Sequence, residues 1–304
     1  MNIVFQINGG IGKCVMATAV CEAVKKQYPS SNLIVVSAYP DVFLNNPHVH
    51  RALGFGGFSY FYQEYLENKD FKIFAHDPYQ QTEHIMQTEH LIKTWCEMFG
   101  IEYDGEQPWI YLTDREKKFF SNKYISDKPI LLLQTNGGAP SDLKYSWARD
   151  IPYQTVVDVI SVFKNEYNIV HIRREDQTSF ESTYPVTDSF RSLCVLISMS
   201  QKRLFMDSFA QHVAAGMKLP STVCWVTNKP EVFGYDIHSN VLPNPYTATP
   251  ELRNAYLGKF NIAGDLVEFP YSSENDIFSV SEIIKSIQKT DTSYGQIVLS
   301  KLPS

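Results

Sequence analysis

The chain has 304 residues, 44% hydrophobic and 20% charged, which is the balance of a soluble globular protein with enough length for two domains. A formal net charge of −6 argues against a broad nucleic-acid surface, since that needs a basic face, and leaves room only for a local groove. Five scattered cysteines with no CxxC pair read as reduced thiols of a cytoplasmic protein; no apolar run reaches the length of a membrane span, and the chain starts without a basic leader.

Residues 2–7 read as a buried strand, 8–12 as a permissive turn and 13–28 as a helix. In that helix Val15, Met16, Ala19, Val20, Ala23 and Val24 recur at helical spacing, and Pro29 lies beyond its end. Two phosphate-binding motifs nearly match the turn "NGGIGKCVMATAV". The P-loop pattern puts Ile7 where its first glycine belongs and Cys14 where a magnesium-binding hydroxyl belongs. The dinucleotide pattern fits Gly10 and Gly12 and then meets Val15 in place of its third glycine. What survives is a strand–turn–helix unit that can meet an anion or a substrate at its backbone, or serve as a plain connection.

A β-branched strand at 33–37 completes a βαβ unit with an expected right-handed crossover. Residues 71–75 read as a further strand. A helix is expected over 81–100, with Leu91, Ile92, Trp95, Met98 and Phe99 on its apolar face and Gly100 closing it. "QTEH" occurs twice there, six residues apart; that offset is about 240° on a helix and does not make a metal pair. A strand at 109–112 and a helix capped by Thr113 or Asp114 and running to about Lys123 follow.

After a polar break at 126–129 the alternation restarts. Strands are expected at 130–134, 168–172, 202–206 and 221–226, and helices at 153–167, 189–198, 207–216 and 279–289. Two successive alternating stretches imply an α/β protein of two doubly wound, Rossmann-like domains with a cleft between them, 1–125 and 126–304. In such sheets ligands sit beyond the carboxyl ends of strands. There the sequence places His76 and Asp77 after one strand, the Asn136-Gly137-Gly138 loop after another, and Arg173 and Arg174 after a third. The arginines stand near a nucleotide or form a solvated pair, and the loop 233–240, "FGYDIHSN", closes over a ligand or packs at the surface.

The stretch "MDSFAQHVAAGMKLPSTVCWV" passes from strand end through Asp207 and Ser208 into a helix. Free N–H groups near Ser208 favour a phosphate, and Asp207 suits sugar or ribose hydroxyls. On its own the pair also reads as a capped helix start with His212 packed inside. Asp207, Ser208, His212, Ala214, Ala215 and Pro220 together resemble the donor-site pattern D-[ST]-G-x-x-H-x-A-A…P of glycosyltransferase family nine, the ADP-heptose:lipopolysaccharide heptosyltransferases. The passage "KKQYPSSNLIVVSAYPDVFLNNPHV" and Lys144 in "LKYSW" are similar to that family as well, so the likeness runs from about residue 3 to 245.

The resemblance implies a GT-B architecture, with the acceptor on the N-terminal domain, a nucleotide-diphosphate sugar on the C-terminal one, and a terminal helix at about 279–289 packing back on the N-terminal domain. It implies an inverting transfer with no metal or other cofactor. The candidate donor-binding residues are Lys144, Asn136, Gly137, Asp207, Ser208, Gln211 and His212, with Gly10 and Gly12 on the acceptor side of the cleft.

Two positions depart from the family. Lys13 stands where the family carries its acidic base, and Phe209 where it carries a glycine. Lysine does not suit proton abstraction without a large downward pKa shift, so Lys13 is expected to serve charge. Asp77, and after it His76, is the candidate base. The expected partners are a nucleotide-sugar donor and a glycan or other polymer acceptor, with nucleic acid entering only as an acceptor bearing a hydroxylated base. The chain is expected to act as a monomer or weak dimer. Rival readings are a non-catalytic nucleotide-sugar-binding protein and an epimerase-type enzyme of the same two-domain build.

Overall fold

A computed structural model describes residues 1–56, 58–137, 145–247 and 269–290. The first half holds strands β1 (Asn2–Ile7), β2 (Asn32–Ser37), β3 (Arg51–Leu53) and β4 (Phe71–Phe74), all parallel in the order β3-β2-β1-β4. The second holds β5 (Ile130–Gln134), β6 (Asn168–Ile172), β7 (Tyr184–Val186), β8 (Lys202–Met206), β9 (Thr222–Cys224) and β10 (Ser239–Val241), all parallel in the order β10-β9-β8-β5-β6-β7. Counted from β5 and read from the other edge, that order is 3-2-1-4-5-6, the doubly wound Rossmann arrangement, and the first sheet is its 3-2-1-4 portion. Strand order therefore reverses between β1 and β4 in one sheet and between β5 and β8 in the other. The crevices beyond those strand ends are where such sheets take ligands.

The helices are α1 (Ile11–Gln27), α2 (Phe61–Tyr65), α3 (Thr82–Ile85), α4 (Leu91–Met98), α5 (Asp114–Ser121), α6 (Tyr153–Phe163), α7 (Phe190–Met199), α8 (Phe209–Gly216), α9 (Pro230–Phe233) and α10 (Val280–Lys289). The long α1 is buried almost all round, from Lys13 to Val24, because it lies between the first sheet and both α4 and α8. One hydrophobic core runs through it: Phe5, Val15, Val20 and Trp95 of the first half are continuous with Leu132, Phe205, Ala210 and Val213 of the second. Arg191 of α7 also ties the halves. Its guanidinium donates to Glu116 at 2.8 and 2.9 Å and to the Tyr111 carbonyl at 2.6 Å, and this pairing holds the Glu116 carboxyl down at about 2.

Three expectations are corrected. The helix expected over 81–100 is two helices, because Gln87 takes a left-handed φ of 55° and the His90 side chain caps α4 through the Ile92 N–H. Residues 109–112 form no strand. β4 is the edge of its sheet, and the Trp109 N–H donates instead to the Thr18 hydroxyl at 2.9 Å. The terminal helix does not return to the first half. Ile283 and Ile287 of α10 enter the core of the second sheet with Leu131, Leu133 and Ile160. Ser286 bonds Thr222 at 2.8 Å, and Lys202 Nζ donates to the Gln288 and Thr290 carbonyls at the helix end.

Candidate functional site

A cleft of about 530 Å³ opens between the two halves, at the carboxyl ends of β1, β5, β6 and β8. It is lined by Gly10, Gly12 and Lys13 from the first turn, Asn136 and Gly137 after β5, and Asp207, Ser208 and His212 after β8. Eight of the twelve candidate site residues thus meet in one place, and Arg173 and Arg174 after β6 line it with them; Asp77 is not among the lining residues and reaches the cleft only through its ion pair with Lys13. Lys144 lies outside the described residues. His76 is exposed and is not part of the cleft wall, and Gln211 is fully buried behind that wall, its amide donating to the Phe233 carbonyl at 2.9 Å.

The N-terminal wall is built by the β1 turn and the segment after β4. Gly9 takes a φ of 119°, which a glycine adopts without strain, and the chain then enters α1 at Gly10 with no side-chain cap and no acidic residue in the first turn. Gly12 packs closely rather than turning the chain: a Cβ there would lie 3.1 Å from His212 Cδ2, so the imidazole would have to give by a few tenths of an ångström. Lys13 is buried, and its Nζ meets Asp77 Oδ1 at 2.5 Å while lying 4.1 Å from the centre of the Tyr79 ring. Burial lowers the lysine pKa and the Asp77 carboxylate opposes that shift. Asp77 accepts the Tyr79 N–H at 2.9 Å, which fixes it at the start of the turn after β4. His84 stacks on Tyr79 at 4.4 Å and is pushed down to about 4 by burial, so the ring is neutral at pH 7.

The C-terminal wall is an interlocked network. Arg149 donates to the Gly137 carbonyl at 2.6 Å and the Asp207 carbonyl at 3.0 Å, and lies 3.6 Å from Asp207 Oδ2. The Asn228 amide donates to the same Asp207 carboxylate. Asp150, buried, accepts the Gly137 N–H at 2.9 Å and the Ser146 N–H at 2.7 Å, so it staples together the two ends of the segment that carries Lys144. Gln134 caps one N–H of α8 at Ala210, 3.2 Å away. Ser208 occupies the N-cap position of α8, yet its hydroxyl makes no hydrogen bond among the described residues. Below it His212 shares a 2.9 Å bond with the Tyr235 hydroxyl, and burial holds its pKa well below the ordinary value. The loop 233–240 is accordingly a buried wall and not a flap: Phe233, Tyr235 and His238 are all buried. Phe209 lines the cleft at the family's glycine position.

Two helix starts, α1 and α8, therefore face one cleft together with Lys13 and Arg149. Each helix start carries roughly half a positive charge, and the arrangement suits a polyanion such as a diphosphate. Reading the sequence missed Arg149 and Tyr79. Arg149 follows Lys144 in "LKYSWARD" and Tyr79 closes "HDPY", so proximity to the singled-out residues was the available signal. Among the described residues no group of three or more His, Cys, Asp or Glu side chains is placed to hold a metal ion, and no helix is long and apolar enough to cross a membrane.

This pairing of Rossmann-like sheets across a ligand cleft is the GT-B architecture of nucleotide-sugar glycosyltransferases, and the chain has that fold. No protein-family model matches the chain, and no curated protein matches it by sequence. Among solved structures it is similar to a glycosyl transferase of family 9 from Veillonella parvula, at 14% identity and a TM-score of 0.65, with 94% of this chain and 96% of that one covered. It is similar to the E. coli ADP-heptose lps heptosyltransferase II at 11% identity and a TM-score of 0.62, covering 80% and 90%. TibC, described as a dodecameric iron-containing heptosyltransferase and solved with ADP-D-beta-D-heptose, matches at 10% identity and a TM-score of 0.62, covering 99% of this chain and 75% of its own.

Proposed function

We propose that the protein is an inverting, metal-independent glycosyltransferase that moves a sugar from a nucleoside-diphosphate sugar to a hydroxyl of a glycan or other polymer. The observation that carries this reading is the convergence of two helix starts, Lys13 and Arg149 on one cleft, with the Asp77 carboxylate behind the wall and paired to Lys13. Residues 1–125 take the acceptor side and 126–304 the donor side. The donor diphosphate rests at Ser208 and the start of α8, with Arg149 and Lys144 as its cations and Asp207 turned to sugar or ribose hydroxyls.

Asp77 takes the proton from the attacking hydroxyl. The oxygen bonds to the anomeric carbon on the face opposite the diphosphate, the old C–O bond breaks, and its electron pair leaves with the nucleoside diphosphate. Lys13 occupies the family's acidic position but brings the Asp77 carboxylate to within 2.5 Å of it, so the base comes from a different strand end. The five cysteines are buried free thiols, in keeping with a cytoplasmic setting.

The test is incubation with ADP-, GDP- and UDP-sugars and measurement of slow donor hydrolysis, with and without EDTA. Hydrolysis of one donor that survives EDTA is the expected result. Donor binding with neither hydrolysis nor transfer would instead favour a binding protein, and conversion of the donor alone to an isomeric nucleotide sugar would favour an epimerase. Lys144→Ala should slow the productive donor's turnover; an unchanged rate removes Lys144 from the site.

A further inference from the structure

At the other end of α8, about 12 Å along its axis from the diphosphate end, lies a second cavity of about 370 Å³. It too is shared by both halves. Tyr103, Gln107 and Trp109 come from the first half, Lys218, Tyr235 and Asp236 from the second. We propose that this cavity is a second, non-catalytic carbohydrate site that takes a neutral pyranose ring, independent of the donor cleft. The proposal goes beyond the transferase reading and does not depend on it.

Three observations support a sugar. Trp109 is 39% exposed although large and apolar, and the backbone around it is pinned. Its N–H donates to Thr18, and Pro108 presses on Gly216, where a Cβ would come within 2.8 Å of the Pro108 carbonyl. The ring stands beside Tyr111, 6.0 Å between centres, and a partly exposed aromatic face on a fixed backbone is the surface on which the C–H face of a sugar ring packs.

Around it stand groups that match hydroxyls, which both donate and accept. Gln107 and Asp236 are exposed, and the Lys218 ammonium lies 5.6 Å from the Trp109 ring centre. The charges balance. Lys218 and Asp236 cancel, and the ring of His90, which shares a 3.1 Å hydrogen bond with the Gly234 carbonyl, is held from protonation because burial lowers its pKa. A diphosphate would find a single cation here, whereas a neutral polyhydroxylated ring finds donors, acceptors and a platform.

The third observation is Lys218 itself. It follows the end of α8 with a φ of 58°, the left-handed position where helices usually place glycine, so a side chain there carries backbone strain. Its ammonium is the group that reaches over the platform.

The experiment is saturation-transfer NMR on the full chain without donor. The probes are the methyl glycosides of glucose, galactose, mannose and N-acetylglucosamine, with maltotriose and chitotriose as oligomers. At least one probe should bind saturably. Trp109→Ala should weaken it about tenfold, the loss expected when an aromatic platform is removed. Lys218→Gly, which relieves the backbone strain and so keeps the fold, should weaken it as well. Trp109→Ala should leave binding of ADP, GDP or UDP at the cleft unchanged, which separates the two sites. Absence of saturable binding by all probes, or equal binding by Trp109→Ala and wild type, overturns the proposal. So does displacement of the bound sugar by ADP, GDP or UDP, because the sugar and the nucleotide would then share one site.

Discussion

On the N-terminal wall of the cleft a single ion pair, Lys13–Asp77, bridges the ends of β1 and β4. On the C-terminal wall Arg149, Asp207, Asn228, Gly137 and Asp150 share partners, so that no one of them can turn without disturbing the others. Both walls stand at a reversal of strand order, and both present a helix start. The difference lies in how many bonds hold each group. A fixed set of dipoles and cations is what a diphosphate needs, because stabilising charge without reorganisation is the largest single contribution in many such reactions. A carboxylate held by one ion pair and one backbone N–H keeps acceptor capacity for a proton, which is what a proton transfer needs.

The comparison can be broken most directly at Asp77. Asp77→Asn should lower turnover about 10³-fold with little change in donor affinity, the loss typical of a general base; equal turnover would move the base elsewhere. Arg149→Ala attacks the other wall. It should cost about 10²-fold in kcat/KM for the donor, as removal of one preorganised charge-stabilising group does, and calorimetric titration of the nucleoside diphosphate should show the affinity falling too.

Gly12→Ala tests the seam between the walls. The added methyl meets His212 at 3.1 Å, so it should destabilise the chain by about 1–3 kcal/mol in urea unfolding, with activity falling alongside. The gentlest probe is pH. His84, His171 and His238 are buried and pushed down from 6.5 to about 4, so between those values the unfolded chain takes up protons that the folded chain refuses. The urea midpoint should therefore fall steadily as pH drops from 6.5 to 4. A flat profile would mean that these rings are solvated.

Much of the fold was legible because β1, β5 and β6 are short, largely apolar runs buried on both faces, as parallel strands between helices must be. The start of α8 was legible from Asp207-Ser208 and the alanines that follow. What failed depended on partners distant in sequence. The apolar face of α10 was plain, but either sheet would have satisfied Ile283 and Ile287. Residues 109–112 read as a strand because nothing local shows that β4 ends the sheet. The break at Gln87 needs a left-handed glutamine, which no periodicity reveals. At the site, Asp77 was readable as a strand-end carboxylate. Its pairing with Lys13, 64 residues away, was not.

The unbroken apolar interior through α1 and α8 has a consequence for how such chains diversify. An N-terminal half cannot be exchanged as a free module without repacking, because α1 shares one apolar core with the second half and Gly12 lies close against the His212 imidazole. On the proposed reading, new acceptors are reached more readily by rewriting the segment after β4, which brings Tyr79 to the cleft wall.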